Sequence, residues 1–218
     1  MTDKVTLGRY PGYDVLDKRD TPSWNDITRD VIDRRLAVED RPTFLDAAEW
    51  ATLQALCGRV MPQPAGRPAV PLAAYVDRLL ASGKLKGFRF KDMPQPADAW
   101  KRGLAALDEV ARRDHGRIFA ELAAPEQDAL LTRLQHGTLQ AEALQGMPPD
   151  TFWSQHVIHD VVGAYYAHPA AWNEIGWAGP ASPRGYVRLD NDRRDPWEPA
   201  EAVPGQEAKA ARENKRVV

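Results

Sequence analysis

Hydrophobic residues recur at spacings of three and four along much of the chain between residues 43 and 166, which is the period of helices with one buried face. The clearest case begins with an Asp-x-x-Glu capping pattern at Asp46 and Glu49 and ends at Pro62. Its apolar stripe consists of Leu53, Leu56, Cys57 and Val60. The pattern predicts an amphipathic helix with Cys57 on its buried side.

The same logic predicts four further helices, each of which begins near a proline. They start near Pro71, Pro96, Pro125 and Pro149, and the first three end near Gly83, Gly116 and Gly137. The predicted inward positions are Leu72, Tyr75, Val76, Leu79 and Leu80, then Trp100, Leu104, Leu107 and Ala111, then Leu130, Leu131 and Leu134, and finally Val157, Ile158, Val161, Val162 and Tyr165. On the long helix, Asp108 is expected outside, paired with Arg112. The fold class expected is all-α, a helical bundle.

The two ends of the chain lack this periodicity. Residues 1–42 are predicted to form an arm with one helix, capped by Ser23 or Thr21, whose broken apolar stripe is Trp24, Ile27, Val31 and Leu36. Residues 43–189 are predicted to be the helical domain, which finishes in an irregular but ordered segment. Residues 190–218 are charged and interrupted by prolines, so an extended tail is expected there.

The irregular segment, "YYAHPAAWNEIGWAGPASPRGYVRL" at residues 165–189, carries an unusual amount of aromatic surface. It either covers the protein's own core or binds another protein, since aromatic residues and arginine are enriched at the energetic centres of interfaces. The residues predicted at a partner interface are Tyr10, Tyr13, Trp24, His168, Trp172, Trp177, Arg184, Tyr186 and Trp197. We expect residues 1–40 and 190–218 to be mobile in the free chain and to wrap around the partner, burying Trp197 and at least one of Tyr10 and Tyr13.

Charge and hydropathy exclude several functional classes. With 29 basic and 31 acidic residues and no basic stripe, the chain lacks the cationic surface that nucleic acid requires. No window approaches 18 apolar residues, so membrane insertion is not expected. The start of the sequence has no apolar segment typical of a signal peptide. A cytoplasmic location is therefore expected, or a periplasmic one if the chain is exported together with a signal-bearing partner.

Little in the sequence indicates catalysis. His156, His159, Asp160 and Gly163 share one helix stripe, so two histidines and a carboxylate are candidates for a metal site. The alternative is a hydrogen-bonded polar helix face. There is no Gly-x-Ser-x-Gly elbow, no Gly-x-Gly-x-x-Gly fingerprint and no Walker A loop, and a lone cysteine excludes paired-cysteine sites. We therefore predict no catalytic, cofactor-binding or metal residue in this chain.

Five segments carry a family resemblance: "TFLDAAEWATLQALCGRVMPQP", "AVPLAAYVDRLLASG", "ELAAPEQDALLTRLQHG", "DTFWSQHVIHDVVGAYYAHPAAW" and "NEIGWAGPASPRGYV". Together they resemble the gluconate 2-dehydrogenase subunit 3 family over residues 43–189. The most specific part is the last one, where a helix ends in aromatic residues and His-Pro and a Trp-rich, Gly-Pro loop follows. The start of this sequence departs from many members in lacking a twin-arginine export signal.

The resemblance implies a small, cofactor-free subunit that accompanies a flavoprotein dehydrogenase of the glucose-methanol-choline type, often with a cytochrome c subunit. FAD is expected in the partner. The function implied is non-catalytic: the chain stabilises, matures or positions the catalytic subunit of a sugar or alcohol dehydrogenase. Two alternatives stay open, an independent metal-binding helical enzyme that uses His156, His159 and Asp160, and a helical scaffold for an unrelated partner.

Overall fold

The all-α fold is confirmed. The computed structural model describes residues 8–65, 69–84, 87, 90–185 and 194–217, and within these ranges it contains helices and no strand. The α-helices are α1 Asp26–Leu36, α2 Ala47–Val60, α3 Leu72–Ala81, α4 Pro96–His115, α5 Ala124–Gln135, α6 Pro149–Phe152, α7 His159–Tyr166, α8 Pro169–Ile175 and α9 Glu207–Asn214. Short 3-10 turns lie at Val15–Lys18, Phe119–Glu121 and Glu142–Leu144, and a π-helical turn, Trp153–Ile158, joins α6 to α7.

The chain divides into two compact units, and the division differs from the three predicted segments. The helical unit is Val38–Tyr165. The terminal unit combines Met1–Ala37 with Tyr166–Val218, so the arm, the irregular segment and the tail belong together. The one helix predicted in the arm is α1, whereas the tail, predicted to be extended, contains α9.

The predicted capping of α2 is confirmed. Asp46 Oδ1 accepts hydrogen bonds from the backbone N–H groups of Ala48 and Glu49, both at 2.9 Å, and Glu49 Oε2 accepts from the Asp46 N–H at 3.0 Å. Leu53, Leu56 and Cys57 are buried on the face that this helix turns inward. Burial raises the pKa of the Cys57 thiol to about 12, so this cysteine behaves as a small apolar residue.

Helix α4 is the long helix of the helical unit, and it packs against α2, α3 and α5. Its predicted inward residues, Trp100, Leu104, Leu107 and Ala111, are all buried. It ends at Gly116, whose φ of 71° is the left-handed conformation that favours glycine at a helix end. The periodicity therefore predicted this helix and its buried face correctly.

Two buried carboxylates tie helices to the turns beside them. Asp77 of α3 is fully buried and accepts hydrogen bonds from the backbone N–H groups of Thr43, at 2.6 Å, and Leu45, at 2.8 Å, which fixes the turn before α2. Asp108, predicted to lie outside, is buried instead and accepts from the Thr52 hydroxyl at 2.9 Å and the Phe119 N–H at 3.0 Å. The predicted pairing with Arg112 is confirmed, with the guanidinium 3.6 Å from Asp108 Oδ2. The predicted exposure of Asp108 was wrong, because its hydrogen-bond donors come from other elements, which helical spacing does not reveal.

The buried stripe predicted for the first helix was also wrong in phase. Asn25, rather than Ser23 or Thr21, caps α1 by accepting the Thr28 N–H at 2.9 Å. Ile32 is the buried residue of this helix, whereas Ile27 is 74% exposed. Trp24 is buried but precedes the helix, so counting three and four residues onward from it selects the solvent-facing side.

The last long helical element is irregular in its middle. The π-helical turn between α6 and α7 widens the backbone after Phe152, whose ring meets Trp100 edge to face with centroids 5.4 Å apart. Helix α4 approaches this ring closely, because a Cβ atom built on Gly103 would lie 2.2 Å from two ring atoms of Phe152. Glycine at this position is what allows α4 and α6 to pack. No helix in the described ranges has the length and apolar character needed to cross a bilayer.

We predict that Gly103→Ala destabilises the protein and that Gly58→Ala does not. Both glycines lie within helices, but Gly58 is exposed and a Cβ there would meet nothing within 4 Å. Overpacking against Phe152 costs about 1–3 kcal/mol, whereas alanine in an open helix position gains about 1 kcal/mol over glycine. Urea unfolding of both variants measures the difference. Equal free energies of unfolding for the two variants would contradict the packing described here.

Candidate functional site

The aromatic residues singled out in the sequence meet inside the terminal unit. We call the cluster of Tyr13, Val15, Trp24, Ile32, Trp172 and Val217 the aromatic core; all six residues are buried. Tyr10, Leu16 and Trp177 pack against it while partly exposed. The rings of Trp172 and Trp177 meet edge to face with centroids 4.7 Å apart. Residues from the arm, the irregular segment and the tail therefore share one core.

Specific hydrogen bonds fix the irregular segment against the arm. The Tyr13 hydroxyl donates to the carbonyl oxygen of Trp177 at 3.0 Å. The Asn173 side chain accepts the Val15 N–H at 2.8 Å and donates to Asp14 Oδ1 at 3.0 Å. Because buried polar groups need partners, these bonds define how the 3-10 turn Val15–Lys18 sits on α8.

Lys18 is a fully buried lysine that no sequence pattern singled out. Its ammonium group donates to the carbonyl oxygen of Ala178 at 2.8 Å and also to that of Trp197, and it lies 5.5 Å from the centroid of the Tyr13 ring. Burial, with a smaller effect from the nearby guanidinium of Arg184, lowers the Lys18 pKa to about 8. One cation thus connects the arm, the irregular segment and the tail.

The tail is held to the arm by a second set of contacts. Asn214 of α9 is buried, and its amide donates to the Pro11 carbonyl at 2.9 Å and to the Ala200 carbonyl at 3.0 Å. Its Oδ1 accepts the Ala200 N–H at 2.6 Å. Arg9 pairs with Glu201 through two hydrogen bonds of 2.6 and 3.0 Å. Asn214 and Lys18 thus hold the ends together, although neither stood out in the sequence.

Four other residues predicted at the interface are partly exposed in this unit: Tyr10, His168, Arg184 and Trp197. Arg184 stacks over the half-buried Trp197 ring, with its guanidinium carbon 4.3 Å from the centroid. His168 caps α8, accepting the Ala170 N–H at 3.1 Å. Tyr10 is half-buried beside Gly176, and Tyr186 lies outside the described residues.

These positions decide part of the question raised by the aromatic segment. Tyr13, Trp24 and Trp172 are between 2% and 7% exposed inside the terminal unit, so in this conformation their side chains have no surface left for a partner. The sequence predicts ends that become ordered on a partner, whereas in this structure the two ends supply buried residues to one shared core. Tyr10, Trp177, Arg184 and Trp197 keep partial exposure and stay candidates for contact with a partner.

A polar cluster occupies the π-helical turn of the helical unit. Asp160 is buried, and its Oδ2 accepts the indole N–H of Trp100 at 2.9 Å. His159 Nδ1 lies 3.4 Å from Asp160 Oδ1, and His156 Nδ1 lies 3.8 Å from Oδ2. His156 is buried and its Nδ1 has no hydrogen-bond partner in this conformation. The histidine and carboxylate stripe predicted from the sequence therefore does converge.

This cluster does not extend to a metal site. In the part of the chain that the structure describes, no group of three or more His, Cys, Asp and Glu side chains is arranged to hold a metal ion. The carboxylate of Asp160 instead accepts a hydrogen bond from the indole of Trp100, and this bond joins α7 to α4. The observed geometry matches a hydrogen-bonded polar helix face.

Comparison with known proteins identifies the family. The family described as gluconate 2-dehydrogenase subunit 3 matches residues 47–179, which is more than half of the chain. The chain belongs to this family. No curated protein and no solved structure was found to match it. The matched range runs from the start of α2 to just past α8, so it contains the polar cluster and Trp172 but not Tyr13, Trp24 or Val217.

We predict that Gly176→Ala lowers the free energy of unfolding by more than the backbone strain at a left-handed position explains. Gly176 ends α8 at φ 66°, and a Cβ there would lie 2.2 Å from Tyr10 Cζ. Gly116→Ala is the matched control, because Gly116 ends α4 at φ 71° and faces open space. Each variant carries about 1–2 kcal/mol of left-handed strain, and Gly176→Ala loses about 1–3 kcal/mol more through displacement of the Tyr10 ring.

Unfolding in urea measures both free energies, and Tyr10→Ala is then added to each variant. The additional loss at Gly176 is expected to disappear in the Tyr10→Ala background, as a double-mutant cycle would show for two residues in contact. A coupling energy of zero between positions 10 and 176 would contradict the contact.

Proposed function

We propose that this chain is a non-catalytic accessory subunit of an FAD-dependent sugar or alcohol dehydrogenase. Its partner is a flavoprotein catalytic subunit of the glucose-methanol-choline type, which it stabilises, matures or positions. The observation that carries the proposal is membership of the gluconate 2-dehydrogenase subunit 3 family over residues 47–179. The family description itself names one subunit of a larger dehydrogenase.

In this proposal the redox chemistry belongs to the partner. FAD bound there accepts a hydride from a carbon atom of the substrate, and a cytochrome c subunit is a further component that passes the electrons on. This chain contributes binding energy and surface shape. The hydrogen bonds of its polar cluster support that division, because Asp160 is engaged by Trp100 within the helical unit.

The two compact units support an accessory role in different ways. The helical unit is a bundle held by buried carboxylates and apolar stripes, which suits a rigid binding surface. In the terminal unit, Trp197 and Tyr10 keep partial exposure around a core that is already packed. A partner would therefore bind a surface that is already folded, so little conformational entropy would be lost on binding.

The proposal is tested by co-expression with a flavoprotein dehydrogenase subunit from the same organism. We expect the tagged chain to purify with a yellow companion whose FAD is stoichiometric and whose identity is confirmed by mass spectrometry. The chain alone is expected to be colourless and to oxidise no sugar or alcohol. An unrelated FAD-containing flavoprotein serves as the control partner and should not co-purify.

Two results would contradict the proposed function. One is the absence of a complex between this chain and the dehydrogenase subunit under conditions where both are folded. The other is a bound flavin, haem or metal in the purified chain together with dehydrogenase activity, which would make it a catalytic protein in its own right.

A further inference from the structure

The outward face of α9 is made of positively charged side chains. Ala210, Asn214 and Val217 are buried at spacings of four and three, so they define the face that this helix turns toward the rest of the terminal unit. At about 3.6 residues per turn, the opposite face carries four basic residues. We call these exposed residues the cationic stripe: Lys209, Arg212, Lys215 and Arg216, of which the last two lie in the turn directly after the helix.

No basic stripe was predicted from the sequence, because residues 190–218 were expected to be extended. An extended chain alternates its side chains between two sides, so it would place the two lysines on one side and the two arginines on the other. The helix instead brings all four cations to one face. This concentration of positive charge occurs in a chain whose formal net charge is −2.

The cationic stripe is not neutralised within the terminal unit. Among the described residues, none of its four cations forms an ion pair. Two carboxylates that border the helix are paired with other cations: Glu213 with Arg194 at 3.0 Å, and Glu201 with Arg9 at 2.6 Å. A third, Glu207, accepts a backbone N–H at the start of the helix. The stripe therefore keeps its charge available.

Helix stability explains only part of this charge. A cation in the last turn of a helix interacts favourably with the helix dipole, which suits Arg212 and the two basic residues after it. Lys209 lies in the first turn, at the positive end of the dipole, where a cation is unfavourable. The fold therefore does not account for the complete stripe.

The surroundings of the cationic stripe favour a protein over a uniformly anionic surface. Glu201, Glu207 and Glu213 border the stripe, so a charged bilayer or a nucleic acid would meet these carboxylates together with the cations. The outward face also has no large apolar side chain to insert into a bilayer. A protein presents carboxylates at fixed positions, which can pair with the cations and avoid the three glutamates.

The cationic stripe is linked to an aromatic residue that keeps part of its surface exposed. Arg194 donates to the Glu198 carbonyl at 2.6 Å and to the Glu213 carboxylate at 3.0 Å, so it ties the turn that contains Trp197 to α9. Trp197 is half-buried beneath the guanidinium of Arg184. Tryptophan and arginine are enriched at the energetic centres of protein interfaces, and charged residues at their rims.

We propose that the cationic stripe of α9 binds an acidic surface of the flavoprotein subunit, with Trp197 at the edge of the contact. The inference rests on the proposed function and specifies which surface of this chain carries it. Each arginine of the stripe can hold one carboxylate through two parallel hydrogen bonds, and the lysines contribute positive charge without that geometric demand.

The test measures affinity for the FAD-containing companion purified with the wild-type chain. One variant combines Lys209→Glu with Lys215→Glu. Its matched control combines Lys84→Glu with Lys91→Glu, at two exposed lysines of the helical unit, so both variants change the net charge equally. A third variant, Arg212→Gln with Arg216→Gln, removes charge from the stripe without adding carboxylates. Circular dichroism and urea unfolding establish that each variant is folded.

We expect the lysine variant of the stripe to raise Kd about tenfold at low salt, chiefly through slower association. The arginine variant should raise Kd in the same direction, and it decides the test if the added glutamates disturb α9. Both differences should shrink near 1 M salt, where the Debye length is about 3 Å. The control is expected to bind like the wild type.

Each other outcome has a distinct meaning. If the wild type binds its companion and both stripe variants bind equally well, or lose no more affinity than the control, the docking surface is wrong while the proposed function stands. If the wild type does not bind at all, the proposed function fails and the docking surface fails with it.

Vesicles of phosphatidylcholine with phosphatidylserine, and a DNA duplex, are the remaining probes. Binding of the wild type to either one, lost in the stripe variants while flavoprotein binding is unchanged, would overturn the docking surface in favour of a lipid or nucleic-acid contact.

Discussion

The packing of both chain ends around Trp172 is the constraint on which the terminal unit depends. Tyr13 and Trp24 come from the arm, and Val217 comes from the last described turn of the tail. Each segment alone has too little apolar surface to offset the entropy of ordering it, at roughly 1–2 kcal/mol per residue for the backbone. Together they enclose a core in which three large aromatic residues are almost completely buried.

This core changes how the aromatic segment relates to function. Trp172 is inside the family match, whereas its partners Tyr13, Trp24 and Val217 are outside it. The buried aromatic side chains therefore hold the arm, the irregular segment and the tail together. Under the proposed function, the surface that a partner contacts must then come from residues that keep exposure, such as Trp197 in the terminal unit.

The helical unit was largely predictable from the sequence because its signals are local. The capping pair Asp46 and Glu49, the buried stripe of α4 and the glycine at its end each depend on residues within one helix. The features that escaped prediction depend on distant partners. Lys18 bonds to carbonyl groups 160 and 179 residues away, and Asn214 reaches Pro11 across 203 residues. The spacing of apolar residues does not reveal such pairs. The buried face of α1 was predicted wrongly for the same reason, because Trp24 belongs to the aromatic core rather than to the helix.

Hydrogen exchange of the isolated chain tests this account most directly, because it reports whether the two ends are folded together without a partner. Three amides are informative: Val15, which donates to Asn173 at 2.8 Å, Ala200, which donates to Asn214 at 2.6 Å, and Ala202, which donates to the Arg9 carbonyl at 2.8 Å. We predict that all three are protected well above the rate of an unstructured peptide, and that Asn214→Ala lowers the protection of all three. Exchange of these amides at the rate of an unstructured peptide in the free wild-type chain would show that the ends do not fold on each other and would contradict the account.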